Sequence, residues 1–213
     1  MVYEIKNDRI PFLKQYVSTA IIVINVIVHI IQYFDPTGYM FIYEAGFIPG
    51  EFFAGKKIWT LFTSMFMHAN FVHILMNLWF FFVVADNCEH AMGHILFLVT
   101  YLVSGICASL LHGLIALIDP ILLDIPAIGA SGAIFGVIAV YGILFPNNRL
   151  ILLSRVATRI SAKYFIIIYF ITELIYGFLS MYYPSGTAHF AHIGGFISGA
   201  IFALIFKGFS KDY

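Results

Sequence analysis

The sequence has little charge. Asp, Glu, Lys and Arg make up only 10% of its 213 residues, whereas they make up about 25% of a typical soluble domain. Eleven basic residues balance eleven acidic ones, so the chain lacks the positive excess of nucleic-acid-binding proteins. Its content is instead apolar, with 62% hydrophobic residues, 18% aromatic residues and a mean hydropathy of +0.95. This composition argues against a soluble enzyme, a disordered chain or a nucleic-acid binder, and it indicates an integral membrane protein.

Cysteine and several diagnostic patterns are also scarce. The two cysteines, Cys88 and Cys107, fall at different depths of the apolar runs described below, so no disulfide is expected and each thiol is interpreted as a small buried hydrophobe. The chain has no His-Glu-x-x-His motif, which argues against an intramembrane metalloprotease. It also has no repeat at a fixed period, which weakens the case for a transporter built from inverted repeats.

Six apolar runs predict membrane spans. The first run contains 19 uncharged residues, enough for a helix that crosses a hydrocarbon core of about 30 Å. The turn that follows it, residues 35–38, is not a small-residue cleavage site, so this run is expected to be a retained span. The predicted spans cover approximately residues 16–34, 70–85, 94–118, 131–145, 162–183 and 190–206. The sequence therefore predicts an all-α membrane protein, a six-helix bundle that forms one domain over residues 1–213.

Basic residues are unevenly distributed between the two ends of these spans. With the N terminus in the cytoplasm, nine of them would be cytoplasmic: Lys6, Arg9, Lys14, Arg149, Arg155, Arg159, Lys163, Lys207 and Lys211. Only Lys56 and Lys57 would lie outside. Because cytoplasmic loops carry an excess of Lys and Arg, we expect both termini to be cytoplasmic. The short tails around six spans are typical of a protein of a prokaryotic plasma membrane.

The connection between the first two spans is unusually aromatic for a loop. It contains Tyr39, Phe41, Tyr43, Phe47, Phe52, Phe53, Trp59 and Phe62. A solvated linker would instead be rich in Gly, Ser, Pro and charge. We therefore predict a structured, membrane-embedded first outer loop whose aromatic rings lie at the lipid boundary.

The fourth run is short and begins with Gly129-Ala130-Ser131-Gly132. About 15 residues cannot cross the membrane core untilted, so we expect the helix to begin below the outer surface with Ser131 at its N terminus. Free backbone N–H groups and the positive dipole end would favour a developing negative charge there. Gly129 and Gly132 would permit a sharp turn and close approach of a substrate. The alternative is an N-cap serine or a small residue at a helix contact.

His192, in the sixth span, is the base that a serine nucleophile needs, because neutral imidazole accepts a hydroxyl proton at neutral pH. Gly195 and Gly199 follow it at the spacing that lets two membrane helices approach closely. Packing of the sixth helix against the fourth would bring His192 to Ser131. A histidine that is hydrogen-bonded to a neighbouring helix is the alternative.

His73 and Asn77 lie four residues apart in the second span, so they share one helix face. Both can donate hydrogen bonds to one point, as the oxyanion of an acyl-transfer reaction requires. His68 would lie nearer the surface, where it could hold the first outer loop. For each of these residues, hydrogen bonding between helices is the alternative interpretation.

Taken together, three motifs resemble those of the rhomboid intramembrane serine proteases. They are His68-x4-His73-x3-Asn77 in the second span, Gly129-Ala130-Ser131-Gly132 at the start of the fourth, and Ala191-His192-Ile193-Gly194-Gly195 in the sixth. The resemblance covers nearly the whole six-span core. It implies a rhomboid-like bundle that hydrolyses transmembrane-helix protein substrates inside the membrane, in contact with lipids and without a cofactor or metal. The sequence does not indicate an oligomeric state.

The resemblance also implies residue roles. Ser131 matches the nucleophile, His192 the general base, and His73 and Asn77 the groups that stabilise the oxyanion. Phe135, one turn after Ser131, matches an aromatic position that packs against the catalytic histidine. The family works with a Ser-His dyad, and in keeping with this we expect no acidic side chain at a comparable depth near either motif.

Two further positions bear on the resemblance. Glu89, just beyond the predicted second span, matches an acidic position that is structural in the family. Many relatives carry Trp-Arg in the first loop, whereas this chain has Trp59-Thr60, so a loop-anchoring arginine is missing.

Because water must reach Ser131, the loop at residues 184–189 is the predicted cap over the site. The fifth span with that loop is the predicted gate for the substrate.

Two alternative functions remain beside proteolysis. Glu173 lies near the middle of the fifth span, and an ionisable group at that depth suggests a proton-coupled transporter or channel. The simpler interpretation of Glu173 is a protonated carboxyl group bonded to another helix. An inactive relative that binds helices without cutting them is the other alternative, but such proteins usually lose the serine or histidine that this chain keeps.

A metal site is the third alternative. Its ligands would be Cys88, Glu89, His90 and His94, which zinc accepts in proteins. These residues fall at the cytoplasmic edge of the spans, away from the polar motifs above. The remaining histidines, His29, His112 and His189, are interpreted as satisfied polar groups or interface residues.

Overall fold

The computed structural model describes residues 2–4, 11, 14–37, 39–153, 157–183 and 185–210. Lys6, Arg9, Gly38, Arg155, Pro184 and Lys211, which entered the sequence predictions, lie outside the described residues. The α-helices of the described part are α1 (Tyr16–Tyr33), α2 (Met40–Ala45), α3 (Pro49–Phe53), α4 (Thr60–Thr63), α5 (Phe71–Met92), α6 (His94–Ala116), α7 (Ser131–Leu144), α8 (Ala162–Ser180) and α9 (His189–Phe209). The strands are β1 (Val2–Glu4), β2 (Arg149–Leu153) and β3 (Ala157–Ser161).

Six of these helices form the bundle. By length and composition, α1, α5, α6, α8 and α9 are long and apolar enough to cross a membrane. The sixth, α7, is equally apolar but has only 14 residues. The chain is thus a multi-pass membrane protein, and the predicted all-α fold is confirmed.

The short helix α7 lies at the centre of the bundle. It contacts α5, α6, α8 and α9, and all of its residues except Ser131 and Ile143 are buried. A helix that is apolar on every side belongs in a core. The peripheral helices α1 and α8 instead expose aliphatic side chains such as Ile27 and Ile167, as a lipid-facing surface requires.

The contact between α7 and α9 depends on glycine. A Cβ atom at Gly195 would overlap the carbonyl oxygen of Gly132, and one at Gly199 would overlap that of Gly136. Only hydrogen at these positions lets the two backbones come this close. The two helices are therefore held at the distance that places His192 beside the start of α7.

Helix α5 is longer than the predicted second span. It continues seven residues past Ala85 to Met92, because Asp86 and Glu89 are buried within the helix rather than marking its end. Glu89 accepts hydrogen bonds from the backbone N–H groups of Val17 (2.9 Å) and Ser18 (2.7 Å) and from the Ser18 hydroxyl. A carboxylate at a helix N terminus satisfies free N–H groups and the dipole. Glu89 thus fixes the start of α1 against α5.

The first loop is structured, as its aromatic composition predicted. It contains α2, α3, α4 and a 3-10 helix at Ser64–Phe66, and Phe47 is fully buried. Phe47 and Ala127 exchange backbone hydrogen bonds of 3.0 and 2.8 Å, which tie this loop to the segment before α7. Lys57 lies 3.2 Å from Glu44 and 3.1 Å from Glu51. Lys57 therefore ties α2 to α3 within this loop.

The opposite end of the bundle carries a small sheet that the sequence interpretation did not predict. Strand β2 pairs in antiparallel register with β1, where Tyr3 faces Ile151, and with β3, where Arg149 faces Ser161. Strand β1 is about 150 positions away from its partner along the chain. Periodicity within a short segment cannot reveal such a non-local pairing.

Candidate active site

Ser131 is the first residue of α7, as expected for a helix that begins inside the bundle. The residue two positions before it, Gly129, has φ of +127°, a conformation that favours glycine. The Gly129 N–H donates to the Ser64 carbonyl (2.9 Å). A Cβ at Gly129 would lie 2.9 Å from His73 Nε2 and 3.6 Å from Ser131 Oγ. Gly129 therefore makes the turn into α7 and leaves room for the two side chains to face one point.

His192 lies in the first turn of α9 and is hydrogen-bonded to Ser131. Its Nε2 atom is 2.8 Å from Ser131 Oγ, within the range that proton transfer requires. The Phe135 ring stacks on the imidazole with a centroid distance of 4.2 Å and an interplanar angle of 8°. This contact is the one that the resemblance implied for Phe135. The ring of His192 is thus held in the plane that directs Nε2 at the serine.

His73 and Asn77 line the same cavity as Ser131 and His192, and its volume is about 400 Å³. Asn70 caps α5 by accepting a hydrogen bond from the His73 backbone N–H (2.9 Å), which fixes the turn that carries the His73 side chain. The Asn77 carboxamide donates to the His73 carbonyl (2.9 Å) and has a second N–H. Four polar side chains from α5, α7 and α9 therefore converge on one space.

The expectation that no acidic side chain lies near the dyad is wrong. Oε2 of Glu173, on α8, is 2.9 Å from Nδ1 of His192 and 2.8 Å from Nδ1 of His189. The expectation failed because a hydropathy profile gives the depth of Glu173 but not the direction in which its side chain points, and Glu173 lies on the face of α8 that contacts the histidines of α9.

A signal for Glu173 was present in the sequence. Tyr169, Glu173 and Tyr176 are spaced at i, i+4 and i+7, so they lie on one face of α8. Tyr169 stacks on Phe135 (centroids 5.0 Å apart), and Tyr176 stacks on His189 (5.6 Å). This face of α8 therefore contacts His192 through Glu173 and packs against the rings of Phe135 and His189.

Two groups of metal-ligand types deserve comparison. Glu173, His189 and His192 each offer one ligand atom, and these atoms lie within 4.8 Å of one another. In the alternative predicted from the sequence, Glu89 instead holds the start of α1, and Cys88 directs its sulfur at the Val137 carbonyl (3.7 Å). Nδ1 of His94 lies 2.6 Å from Oε1 of Glu89, but the Cys88 sulfur is directed elsewhere and no group of three of these side chains, all of which the structure describes, comes together. This part of the structure therefore does not favour a metal site there.

His68 lies outside the group of side chains around Ser131 and has a different environment. His68 is buried, and its backbone N–H and carbonyl bond to the Gln32 side chain of α1 at 3.0 and 3.3 Å. These bonds attach the end of the first loop to α1. The sequence predicts that His68 could hold this loop, and the contacts are made by its backbone. The His68 ring lies edge-on to His73, with centroids 5.0 Å apart.

Comparison with known proteins gives the family. The family model of the Rhomboid domain matches residues 55–209, which include α5 to α9 and the whole candidate site. The chain belongs to the rhomboid family. The resemblance is therefore confirmed for the family and for the fold.

Similar rhomboid proteins differ in the activity that their names state. RHOMBOID-like protein 2 of Arabidopsis thaliana is 30% identical over 66% of this chain and 40% of its own length. Rhomboid-like protease 3 of Toxoplasma gondii is 32% identical over 69% of this chain and 51% of its own length. Inactive RHOMBOID-like protein 8 of A. thaliana is 33% identical over 67% of this chain and 36% of its own length. The chain spans about half or less of the length of these relatives.

Proposed function

We propose that this rhomboid protein is an intramembrane serine endopeptidase that hydrolyses peptide bonds in or near the transmembrane segments of membrane-protein substrates. The observation that carries the proposal is the 2.8 Å hydrogen bond between Ser131 Oγ and His192 Nε2, in a cavity of about 400 Å³ that also holds His73 and Asn77. A serine hydroxyl becomes a nucleophile when a base in hydrogen-bond reach takes its proton.

The reaction proceeds by acyl transfer. Ser131 Oγ attacks the substrate carbonyl carbon while its proton moves to His192 Nε2, and the carbonyl oxygen becomes an oxyanion. His73, Asn77 and the Ser131 backbone N–H donate to that oxyanion. When the intermediate collapses, the C–N bond breaks and His192 gives its proton to the leaving amine. Water then attacks the acyl-enzyme, with His192 taking the water proton and returning it to Ser131.

The apolar surroundings of the site favour a membrane-embedded substrate. The cavity lies between α5, α7 and α9 and is lined on one side by Gly186, Thr187 and Ala188 of the connection between α8 and α9. A substrate helix must unwind to present a carbonyl group to Ser131, because helical carbonyl groups are already hydrogen-bonded. Entry from the lipid between α5 and α8, past this connection, delivers the chain to the cavity.

The orientation follows from the distribution of basic residues. Lys14, Lys163 and Lys207 lie near the ends of α1, α8 and α9 that are opposite Ser131, whereas Lys56 and Lys57 lie at the Ser131 end. By the positive-inside rule, the site faces away from the cytoplasm. Proteolytic access from one side of oriented vesicles to a tag at either terminus measures this orientation.

Fluorophosphonate labelling tests the proposed activity. Purified wild-type protein is expected to react at Ser131 and to cut a test transmembrane substrate, whereas Ser131→Ala and His192→Ala lose both activities. Ser109→Ala is the matched control, because it makes the same substitution at a serine that lines the smaller cavity on the other side of Ser131. A folded wild type that neither reacts nor cuts would assign this chain to the inactive, helix-binding class of rhomboid proteins.

A further inference from the structure

Glu173 is placed where it can control the tautomer of His192. The carboxylate oxygen Oε2 is 2.9 Å from His192 Nδ1, and Nε2 on the other side of the same ring is 2.8 Å from Ser131 Oγ. Glu173 is only 7% exposed, and burying a carboxyl group among membrane helices costs free energy unless it is bonded. The three side chains come from α8, α9 and α7 and form one continuous hydrogen-bonded line.

We propose that Glu173 is a positioning residue that holds His192 in the Nδ1–H tautomer, so that this protein works with a Ser131-His192-Glu173 arrangement. The inference rests on the proposed function and deepens it. Neutral imidazole carries its proton on either nitrogen. Only the Nδ1–H form leaves a lone pair on Nε2 that can accept the Ser131 proton. A carboxylate is purely an acceptor, so its contact with Nδ1 selects that form.

The second histidine supports this arrangement. Both His189 Nδ1 and His192 Nδ1 approach the same atom, Glu173 Oε2. An oxygen atom that carried a proton could donate it to only one of them, so at least one histidine donates its N–H to Glu173. His189 is held by stacking on Tyr176, and His192 by stacking on Phe135. Each ring is therefore held by its own stacking contact, so the position of the His192 ring does not depend on His189.

The same geometry helps the reaction after the proton moves. When His192 accepts the Ser131 proton, the imidazolium ring carries positive charge next to the Glu173 carboxylate. The Nδ1 proton stays on His192 throughout, and the carboxylate stabilises the charged ring. The proton on Nε2 is then delivered to the leaving amine, so that protons balance over the cycle. Glu173 itself forms no bond to the substrate.

A structural staple between α8 and α9 is the competing explanation of the same contacts. The two explanations differ in which histidine matters. A staple between α8 and α9 uses both contacts, so loss of His189 would weaken it as loss of the Glu173 charge does. A positioning role needs the contact with His192 alone. His189→Phe is therefore the matched control, because phenylalanine keeps the stacking on Tyr176 and removes the N–H that His189 donates.

The kinetic test compares Glu173→Gln, Glu173→Asp and His189→Phe in the full chain, with a chelator present to keep metal ions from the three converging side chains. We expect Glu173→Gln to slow fluorophosphonate labelling of Ser131 by about 100-fold or more, without a matching loss of thermal stability. Glu173→Asp keeps the charge and restores part of the rate. His189→Phe labels nearly as fast as wild type. Labelling of Glu173→Gln at the wild-type rate, or equal losses in Glu173→Gln and His189→Phe, would overturn the proposal.

A spectroscopic measurement decides the same point without any activity. In protein with ¹⁵N-labelled histidine, the His192 signals are assigned by their loss in His192→Gln. We expect the Nδ1–H tautomer in wild type and a shift towards the Nε2–H tautomer in Glu173→Gln. A wild type that holds the Nε2–H tautomer, or spectra that do not differ, would refute the positioning role. If wild type shows the expected tautomer but never reacts with the probe, the proposed protease function fails while the positioning role stands.

Discussion

At the scale of single residues, Gly186 is a position where a substitution should change activity without changing stability. It lines the cavity that contains Ser131, yet no heavy atom lies within 4 Å of the place where its Cβ would be. A larger side chain at this position therefore fits the folded protein without a clash, but it occupies space in the cavity that a substrate would use. We expect the series Gly186→Ala, Gly186→Val and Gly186→Trp to lower the turnover of a transmembrane substrate progressively, with little change in thermal stability.

The measurement for this series is turnover beside the melting temperature of each variant in detergent. The rate of labelling by a small fluorophosphonate is the internal control, since a small probe needs less room than a peptide chain and should depend less on the size of the side chain. A melting temperature that falls in step with turnover would show that Gly186 matters to the fold instead.

The residues of the candidate site were accessible from the sequence to different degrees. Ser131 and His192 could be paired because each lies in a glycine-containing motif near the start of its own helix. Glu173 was noticed as an ionisable group at membrane depth, but its partners were not, because they depend on how α8 is rotated about its axis. A hydropathy profile gives the depth of a residue and contains no information on that rotation.

At the scale of helices, the α7–α9 contact predicts a strong difference between two glycines of α9. A Cβ at Gly199 would overlap the Gly136 carbonyl oxygen, whereas nothing lies within 4 Å of a Cβ at Gly208. Gly199→Ala must therefore push the helices apart, at an expected cost of about 1 to 3 kcal/mol. Gly208→Ala is expected to be neutral or slightly stabilising, because alanine favours a helix over glycine by about 0.5 to 1 kcal/mol.

The same pair of variants also tests how the helix contact supports the site. Two turns of α9 separate Gly199 from His192, so movement of α9 at Gly199 displaces His192 from Ser131. Labelling of Ser131 should fall in Gly199→Ala and remain at the wild-type rate in Gly208→Ala. Equal stability and equal labelling in the two variants would mean that the close approach of α7 and α9 is not required.

Elements were predictable from the sequence where one local signal decides them. The apolar runs indicated α1, α6 and α9 closely, and the brevity of the fourth run indicated that α7 begins inside the bundle. The extension of α5 was missed because Asp86 and Glu89 ended the apolar run, although both are buried in the folded chain. Glu89 is tolerated there because the N terminus of α1, some seventy positions away, supplies its donors.

At the scale of the whole molecule, the low content of charged residues indicated an integral membrane protein. The few buried titratable groups determine how its stability depends on pH. His68, in the connection before α5, is 1% exposed, and neither ring nitrogen has a hydrogen-bond partner among the described residues. Burial, and secondarily the nearby His73, lowers the pKa of His68 from 6.5 to about 3. The folded protein therefore keeps His68 neutral at pH values where the unfolded chain would protonate it.

This difference makes the folded state lose stability in acid. Above pH 6.5, His68 is neutral in both states and contributes no pH dependence. As the pH falls from about 6.5 towards 3, only the unfolded state binds the proton, so the free energy of unfolding decreases by up to about 1.4 kcal/mol per pH unit.

His68→Phe keeps an aromatic ring beside His73 and removes the titration, while the other titrating groups stay the same in both proteins. Between pH 7 and pH 5, wild type should therefore lose about 2 kcal/mol more than His68→Phe in denaturant titrations. Parallel pH dependence of the two proteins would contradict this account, because it would mean that His68 is protonated equally readily in the folded and the unfolded chain.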